Sequence, residues 1–487
     1  MSRGAAASSS RDHLRELSRN QLWQSANFLA KALFLALLTP LMLARWGAEQ
    51  YGLFALASSL LVSLALLDGG VRALTRLRLT EALAAGDRSL YRRAFTEGVV
   101  TFSAVVIAAF LAALAGGLAG WWSALFRLPA GGDRMLVITV GLTGLMMLGI
   151  LLLEPLAARG RLSALKAANT WGALLALPLC AAAVWFGRGP LAAIVIYALC
   201  LLAPGVVVAW RGGVLRDLSW EPGLLAPRAI VRTLRAGFWF YLTTVSLVLK
   251  THALTFVVSA ISGPAEAGLF YILLRLAEIV GNVGATASET ALAALASARG
   301  AGARAARFRQ TWLYAAACCL GGALVFLTLG EPLLHWWLPG EQTVPALTGL
   351  GLAVFGMGGA LSRIVINVSM GLGLIRPAAR AGALEAALDI ALGAAALKLG
   401  GLPGMLLAGS LGVVVLLPTA GRIAARCGRT WTRLYLEPLR ALVPGLAIAA
   451  AAQTAAVWAG TPWAWLGALA ISGAVGLRQL RGIGAGE

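Results

Sequence analysis

The sequence predicts an all-α polytopic membrane protein of about fourteen transmembrane helices, set out as two six-helix bundles in a parallel pseudo-twofold repeat with two further C-terminal helices. Three observations predict it. The 487 residues are 59% hydrophobic and 12% charged, at a mean hydropathy of +0.82, whereas an ordinary soluble domain carries about 25% charged residues. Apolar runs of roughly 20 residues, the length a helix needs to cross about 30 Å of hydrocarbon, recur from Leu22 almost to the C-terminus. Two short patterns also return at nearly one offset. "GAEQYGLF", Gly47 to Phe54, comes back 216 residues later as "GPAEAGLF", Gly263 to Phe270, and Trp121-Trp122 comes back 215 later as Trp336-Trp337, each Trp pair followed by Leu-Pro.

The expected spans are 22–44, 53–70, 97–120, 134–157, 168–187 and 189–210 in the first bundle. The second bundle holds 236–260, 268–296, 309–330, 344–370, 378–397 and 402–421, and the additional pair is 438–459 and 461–477. Residues 1–21 then form a cytoplasmic tail, 211–235 a cytoplasmic linker, 422–437 a cytoplasmic loop and 478–487 a second tail. Six spans is an even number, so both bundles point the same way and the repeat axis runs along the membrane normal.

The net charge of +20 would indicate nucleic acid in a soluble chain. Its placement indicates otherwise. Of 40 Lys and Arg, 31 fall in alternate loops starting with the N-terminal tail, five fall in the other loops and four lie within spans. That bias is the positive-inside rule with both termini cytoplasmic, and the basic loops suit anionic lipid headgroups rather than nucleic acid. No cleavable small-residue site follows a short apolar core, so the first span is read as retained. The five cysteines and three histidines show no metal spacing, and no lysine follows a glycine as a P-loop requires. Neither a metal site nor an ATPase site is expected, and no cofactor.

A charge at the bilayer centre costs roughly 2.5–3.5 kcal/mol on insertion scales and normally faces protein or water. Gln24, Asn27 and Lys31 in the first span lie on one helical face with Asn20. Thr243, Ser246 and Lys250 in the seventh repeat the spacing. The two lysines are expected to converge between the bundles as substrate contacts, with snorkelling of Lys31 towards the inner surface as the alternative. His252 is read as a packing or hydrogen-bonded histidine. Arg275 and Glu278 stand at i, i+3 in the eighth span. Paired, they are structural; separated in one state, they form an anion site with a switchable counter-ion. Arg363 in the tenth span is read as an inner-gate cation or a snorkeller. Asp68, Glu154, Glu289 and Asp389 lie at or near inner span ends, as capped or salt-bridged termini or as proton or sodium coupling sites. Pro40 is expected to kink the first span and let its outer half bend.

The run from Leu38 to Leu79, "LTPLMLARWGAEQYGLFALASSLLVSLALLDGGVRALTRLRL", resembles the opening of polysaccharide flippases of the multidrug/oligosaccharidyl-lipid/polysaccharide exporter superfamily. Pro40 in the first span, the G-x(4)-G turn of Gly47 and Gly52, Ser58 or Ser59, and Asp68-Gly69-Gly70 ahead of Arg72, Arg76 and Arg78 carry the resemblance. It implies flipping of a lipid-linked, polyprenyl-pyrophosphate type oligosaccharide across the bacterial inner membrane by alternating access, without ATP hydrolysis. A polysaccharide polymerase or chain-length machinery is the implied protein partner. Buried cations suit such a head, since Arg offers forked hydrogen bonds to phosphate and Lys a point charge. The rivals are a cation-coupled drug exporter of the same superfamily, whose substrates would favour acids in the cavity, and a membrane-embedded glycosyltransferase, ligase or polymerase. The outside loops, of about 13 residues at their longest, are short for the last.

Overall fold

The computed structural model describes residues 2–63, 70–159, 162–218, 226–296, 300–338, 347–459, 461, 464–465, 467–472 and 474–475. Among these there is helix and no strand, as hydrocarbon demands of a chain that must satisfy every backbone group internally. The protein is a multi-pass all-α membrane protein. Nine of the described helices are long and apolar enough to cross a bilayer, or ten if the bent pair Thr432–Arg440 and Val443–Ala459 is one span.

Two elements, Ser2–Ser63 and Ile375–Ala408, reach into two expected spans each. The first, helix α1, runs back through the basic N-terminus and covers the first span and the described part of the second. It changes direction at Gly47, the residue inside it with non-helical dihedrals (φ 77°, ψ 174°). That is the turn expected between the first two spans, and Pro40 lies inside the helix seven residues before it. Helices α2 (Val71–Ala85), α3 (Arg88–Leu118), α4 (Trp121–Phe126), α5 (Gly132–Leu151), α6 (Glu154–Ala158), α7 (Leu162–Trp185) and α8 (Pro190–Arg211) follow. Asp87 caps α3 by accepting from the amides of Ser89 and Leu90, both at 2.9 Å. The Leu90 amide first, then the Ser89 hydroxyl, holds this carboxyl below the usual carboxylate range.

The second set begins with α9 (Pro227–Val248), a π turn over Leu249–Ala253 and α10 (Leu254–Ser262). It continues with α11 (Pro264–Ala296), α12 (Ala301–Trp337), α13 (Thr348–Gly371) and α14 (Ile375–Ala408). A 3-10 turn at Leu411–Leu416, α15 (Leu417–Arg426), a π turn at Thr432–Leu436, a 3-10 turn at Glu437–Leu442 and α16 (Val443–Ala459) complete it. Helix α14 breaks at Gly400 and Gly401, between the eleventh and twelfth expected spans. The last expected span lies partly outside the described residues.

The chain divides into two compact units. Unit 1 is Met1–Tyr241 with Ser262–Gly268, and unit 2 is Leu242–Ile261 with Leu269–Glu487. The division falls inside α9, later than the linker expected at 211–235. Within unit 1 the repeated turns meet. Gly47 and Gly263 both take positive φ, 77° and 93°, which bends the chain where other residues are strained. A Cβ on Gly52 would come 1.8 Å from the Pro264 carbonyl oxygen, and one on Gly268 would come 3.0 Å from the Gly52 Cα. The first glycine of each motif turns the chain and the second lets the turns touch.

The Trp echo is looser. Trp121 opens α4 after a left-handed Gly120, while Trp336 ends α12. Their exposures nonetheless agree, 66% and 67%, as befits indoles at a membrane–water interface. Unit 1 packs Leu79, Tyr91, Phe95, Leu153 and Leu156 into one core, and unit 2 packs Phe308, Trp312, Ile364, Leu416 and Tyr435 into another.

Candidate functional site

In unit 2 the polar stripe of the seventh span is buried. Thr243, Ser246 and Lys250 are each no more than 3% exposed. Ser246 donates to the Leu242 carbonyl at 2.6 Å, and a Cβ on Gly382 would lie 2.9 Å from its Oγ, so the stripe runs against α14. Three residues beyond Gly382, Glu385 meets Lys250: Nζ donates to Oε1 at 2.6 Å. Asp389, one turn further, places Oδ2 3.3 Å from the same nitrogen. Positions 385 and 389 share a helix face because they are four apart.

Neutral donors take up the outer oxygens of the cluster, while the buried Asp389 Oδ2 has the Lys250 ammonium beside it and no hydrogen-bond partner among the described residues. Ser362 on α13 donates to Glu385 Oε2 at 2.7 Å, and the Gly412 amide donates to Asp389 Oδ1 at 2.7 Å. Gly412 opens the 3-10 turn, where non-helical backbone inside a bundle needs a partner of this kind. A Cβ there would come 2.5 Å from Asp389 Oδ1. Lys250 itself sits on the π turn, a backbone irregularity frequent at functional sites.

A second charged group lies in the same unit. Arg275 and Glu278 pair at 2.7 Å on α11, and Arg275 also lies over the Tyr271 ring at 4.7 Å. His252, two residues from Lys250, puts Nε2 3.4 Å from Glu278 Oε1, and its buried Nδ1 has no hydrogen-bond partner among the described residues. Arg363 on α13, half-buried, adds its field to Glu278 and His252. The expected i, i+3 pair is therefore formed, and His252 joins it.

Unit 1 holds Lys31, which is exposed, and Asn27, which is half-buried. Pro40 is half-buried on the same helix. Glu154 is fully buried and receives Arg76 through two bonds, 2.5 Å and 2.9 Å, with Arg72 at 3.5 Å. It is thus a salt-bridged helix start. Glu97 on α3 accepts from Thr233 and pairs with Arg78 at 3.2 Å and Arg232 at 3.6 Å. Asp68 lies outside the described residues, as do the side chains of Gln24 and Glu289.

One residue escapes sequence reasoning. Glu385 does not stand out in the sequence, although its i, i+4 relation to Asp389 in an apolar span is the available signal. In unit 2, Lys250, Arg275 and Arg363 stand with Glu278, Glu385 and Asp389, three cations with three carboxylates. Glu278 and Asp389 are among the residues the sequence singles out; that Glu385 and Asp389 meet Lys250 is not legible there, because they come from another helix, 135 and 139 residues away.

No family model matches the sequence, and no curated protein matches it. Solved structures do. A multidrug resistance MATE family transporter of the MOP superfamily, in an inward-facing conformation, superposes with a TM-score of 0.64 at 14% identity, over 85% of this chain and 98% of that one. The lipid II flippase MurJ, in an inward closed conformation, gives 0.64 at 12% identity, over 95% of this chain and 98% of that one. The MATE multidrug transporter DinF-BH gives 0.56 at 15% identity, over 83% of this chain and 95% of that one. The structural neighbours of this chain are thus transporters of the MOP superfamily, and it shares their all-helical fold.

Proposed function

We propose that this chain moves a lipid-linked oligosaccharide of polyprenyl-pyrophosphate type from the cytoplasmic to the outer leaflet of the bacterial inner membrane, by alternating access and without ATP hydrolysis. The observation that carries the reading is length. The flippase matches 95% of the chain and the drug transporters 85% and 83%. The smaller gap, ten points of 487 residues, is about 49 residues, enough chain for one further pair of spans at roughly 20 residues each. The membrane potential can supply the direction, since one charge moved across 100 mV is worth about 2.3 kcal/mol.

In this reading Arg275 and Arg363 contact the phosphates within unit 2, with Thr243 and Ser246 as neutral donors, and the stripe of Asn27 and Lys31 is the candidate substrate contact of unit 1. Lys250, Glu385 and Asp389 form the coupling element, because a closed set of ions inside a helix bundle changes energy steeply when a proton or cation enters or leaves. Purified protein in proteoliposomes should render a fluorescent polyprenyl-pyrophosphate oligosaccharide accessible to an external enzyme. Absence of flipping by correctly folded protein would overturn the proposal. The second reading, a cation-coupled exporter, is favoured by the three carboxylates of unit 2. It predicts accumulation of a cationic dye in the same vesicles instead.

A further inference from the structure

Two cavities of unit 2 lie one above the other along α12. The first, about 340 Å³, is walled by apolar groups, among them Trp312, Ala316, Leu361, Val413, Tyr435 and Leu439. The second, about 470 Å³, is bordered by Arg309, Arg429 and Arg433, with Glu437 the single acid. Their volumes lie in the range of ligand pockets, ~300–1,000 Å³. Along α12, Trp312 and Ala316 follow Arg309 by three and seven residues, a rise of about 4.5 and 10.5 Å.

The apolar cavity has a rigid aromatic wall. Phe308, Trp312 and Tyr435 pack ring on ring, with centroids 5.2–6.3 Å apart. Trp312 Nε1 donates to the Tyr435 carbonyl at 2.8 Å, and the Tyr435 hydroxyl donates to the Ala420 carbonyl at 3.3 Å. The π turn at Thr432–Leu436 sends Arg433 and Leu434 to the cationic cavity and Tyr435 and Leu436 to the apolar one. The three arginines are exposed, and none forms an ion pair among the described residues. A cluster of three like charges with one nearby acid attracts an anion, and arginine binds phosphate oxygens in a forked geometry.

We infer that these adjacent cavities bind one anionic phospholipid of the surrounding bilayer, with its phosphate among Arg309, Arg429 and Arg433 and an acyl chain beside Trp312, Ala316 and Leu439. Charge complementarity selects the head, and the apolar cavity one to two turns away along α12 selects a molecule with a chain attached. The site uses none of the residues assigned to transport and is independent of what the chain carries. A lipid held there would brace the start of the additional helices against α12 and α15.

The test uses the full-length protein in detergent, titrated with phosphatidylglycerol and with phosphatidylcholine of identical chains and followed by native mass spectrometry. Phosphatidylglycerol should bind at least about tenfold more tightly, given the strength with which basic residues attract anionic lipid. Arg309→Gln with Arg429→Gln and Arg433→Gln should remove that preference while leaving phosphatidylcholine binding unchanged. These side chains are exposed, so folding should survive, and gel filtration checks it. Leu439→Trp, which narrows the apolar cavity, should weaken both lipids. Equal binding of phosphatidylglycerol by the arginine variant and the native chain would overturn the inference. So would displacement by chain-free glycerol phosphate at the same concentration as the lipid, or selective uptake of a polyprenyl pyrophosphate in its place.

Discussion

Unit 1 and unit 2 each take carboxylates into a helix bundle, and they neutralise them in different ways. Glu154 in unit 1 is fully buried, but Arg72 and Arg76, which reach it from the basic helix α2, keep 40% and 43% of their side-chain surface exposed. In unit 2, Lys250, Glu385 and Asp389 are 3%, 1% and 0% exposed. The first arrangement ties a surface helix to a bundle with cations that remain partly hydrated. The second withdraws all three groups from water, so each depends on the others to offset its desolvation. A bundle that needed only stability would be served as well by apolar side chains of similar volume, and the closed cluster is therefore the better candidate for a working part.

The comparison is broken most severely at its closed end. Lys250→Met leaves Glu385 and Asp389 facing each other without a cation, and should destabilise the protein by ~3–5 kcal/mol, read as a lowered midpoint in detergent thermal unfolding. Adding Glu385→Gln and Asp389→Asn should restore native stability, since no unpaired charge then remains buried. A midpoint unchanged by Lys250→Met alone would show that the cluster is not closed in solution.

At the open end, Glu154→Gln should cost less, ~1–3 kcal/mol, because Arg72 and Arg76 can turn outward to water once released. Limited proteolysis around α2 should accelerate in that variant. An effect as large as that of Lys250→Met would erase the distinction between the two units. Where no charge is involved, Gly52→Ala should cost ~1–3 kcal/mol by overpacking the repeated turns, and Gly302→Ala, which has open space at its Cβ, serves as the silent control.

The smallest effect is expected at Asp87, an exposed cap. Its carboxyl is held below the ordinary range by the Leu90 amide and the Ser89 hydroxyl. A depressed folded-state pKa means that the cap stabilises above the unfolded-state pKa and is lost as pH falls through the folded value. Amide protection at Ser89 and Leu90, measured against the intrinsic exchange rate at each pH, should therefore fall on acidification. In Asp87→Ala that fall should be missing.

Much of this architecture is legible in the sequence because the bilayer imposes a simple rule on length and hydropathy. The expected spans fall where α3, α5, α7, α8, α12 and α13 lie, and the repeated glycine motif marks two turns that touch. The turn at Gly47 is legible as well, as the first glycine of that motif between two expected spans, and its positive φ is the conformation glycine supplies there. The site is legible by halves. Lys250 stands out as a mid-span cation, and Arg275 with Glu278 as a local pair. Glu385, Ser362 and Gly412 come to Lys250 and its partners from α14, α13 and the turn before α15, contacts that only tertiary packing creates.

The claim that the closed cluster of unit 2 works in transport rather than in folding is tested most directly by one protein, the Lys250→Met, Glu385→Gln, Asp389→Asn variant reconstituted in proteoliposomes. It removes every charge of the cluster while keeping its volume. The account predicts native thermal stability, or slightly more, together with loss of flipping of the lipid-linked oligosaccharide. Native stability with native flipping rates would contradict it and leave the cluster a packing element.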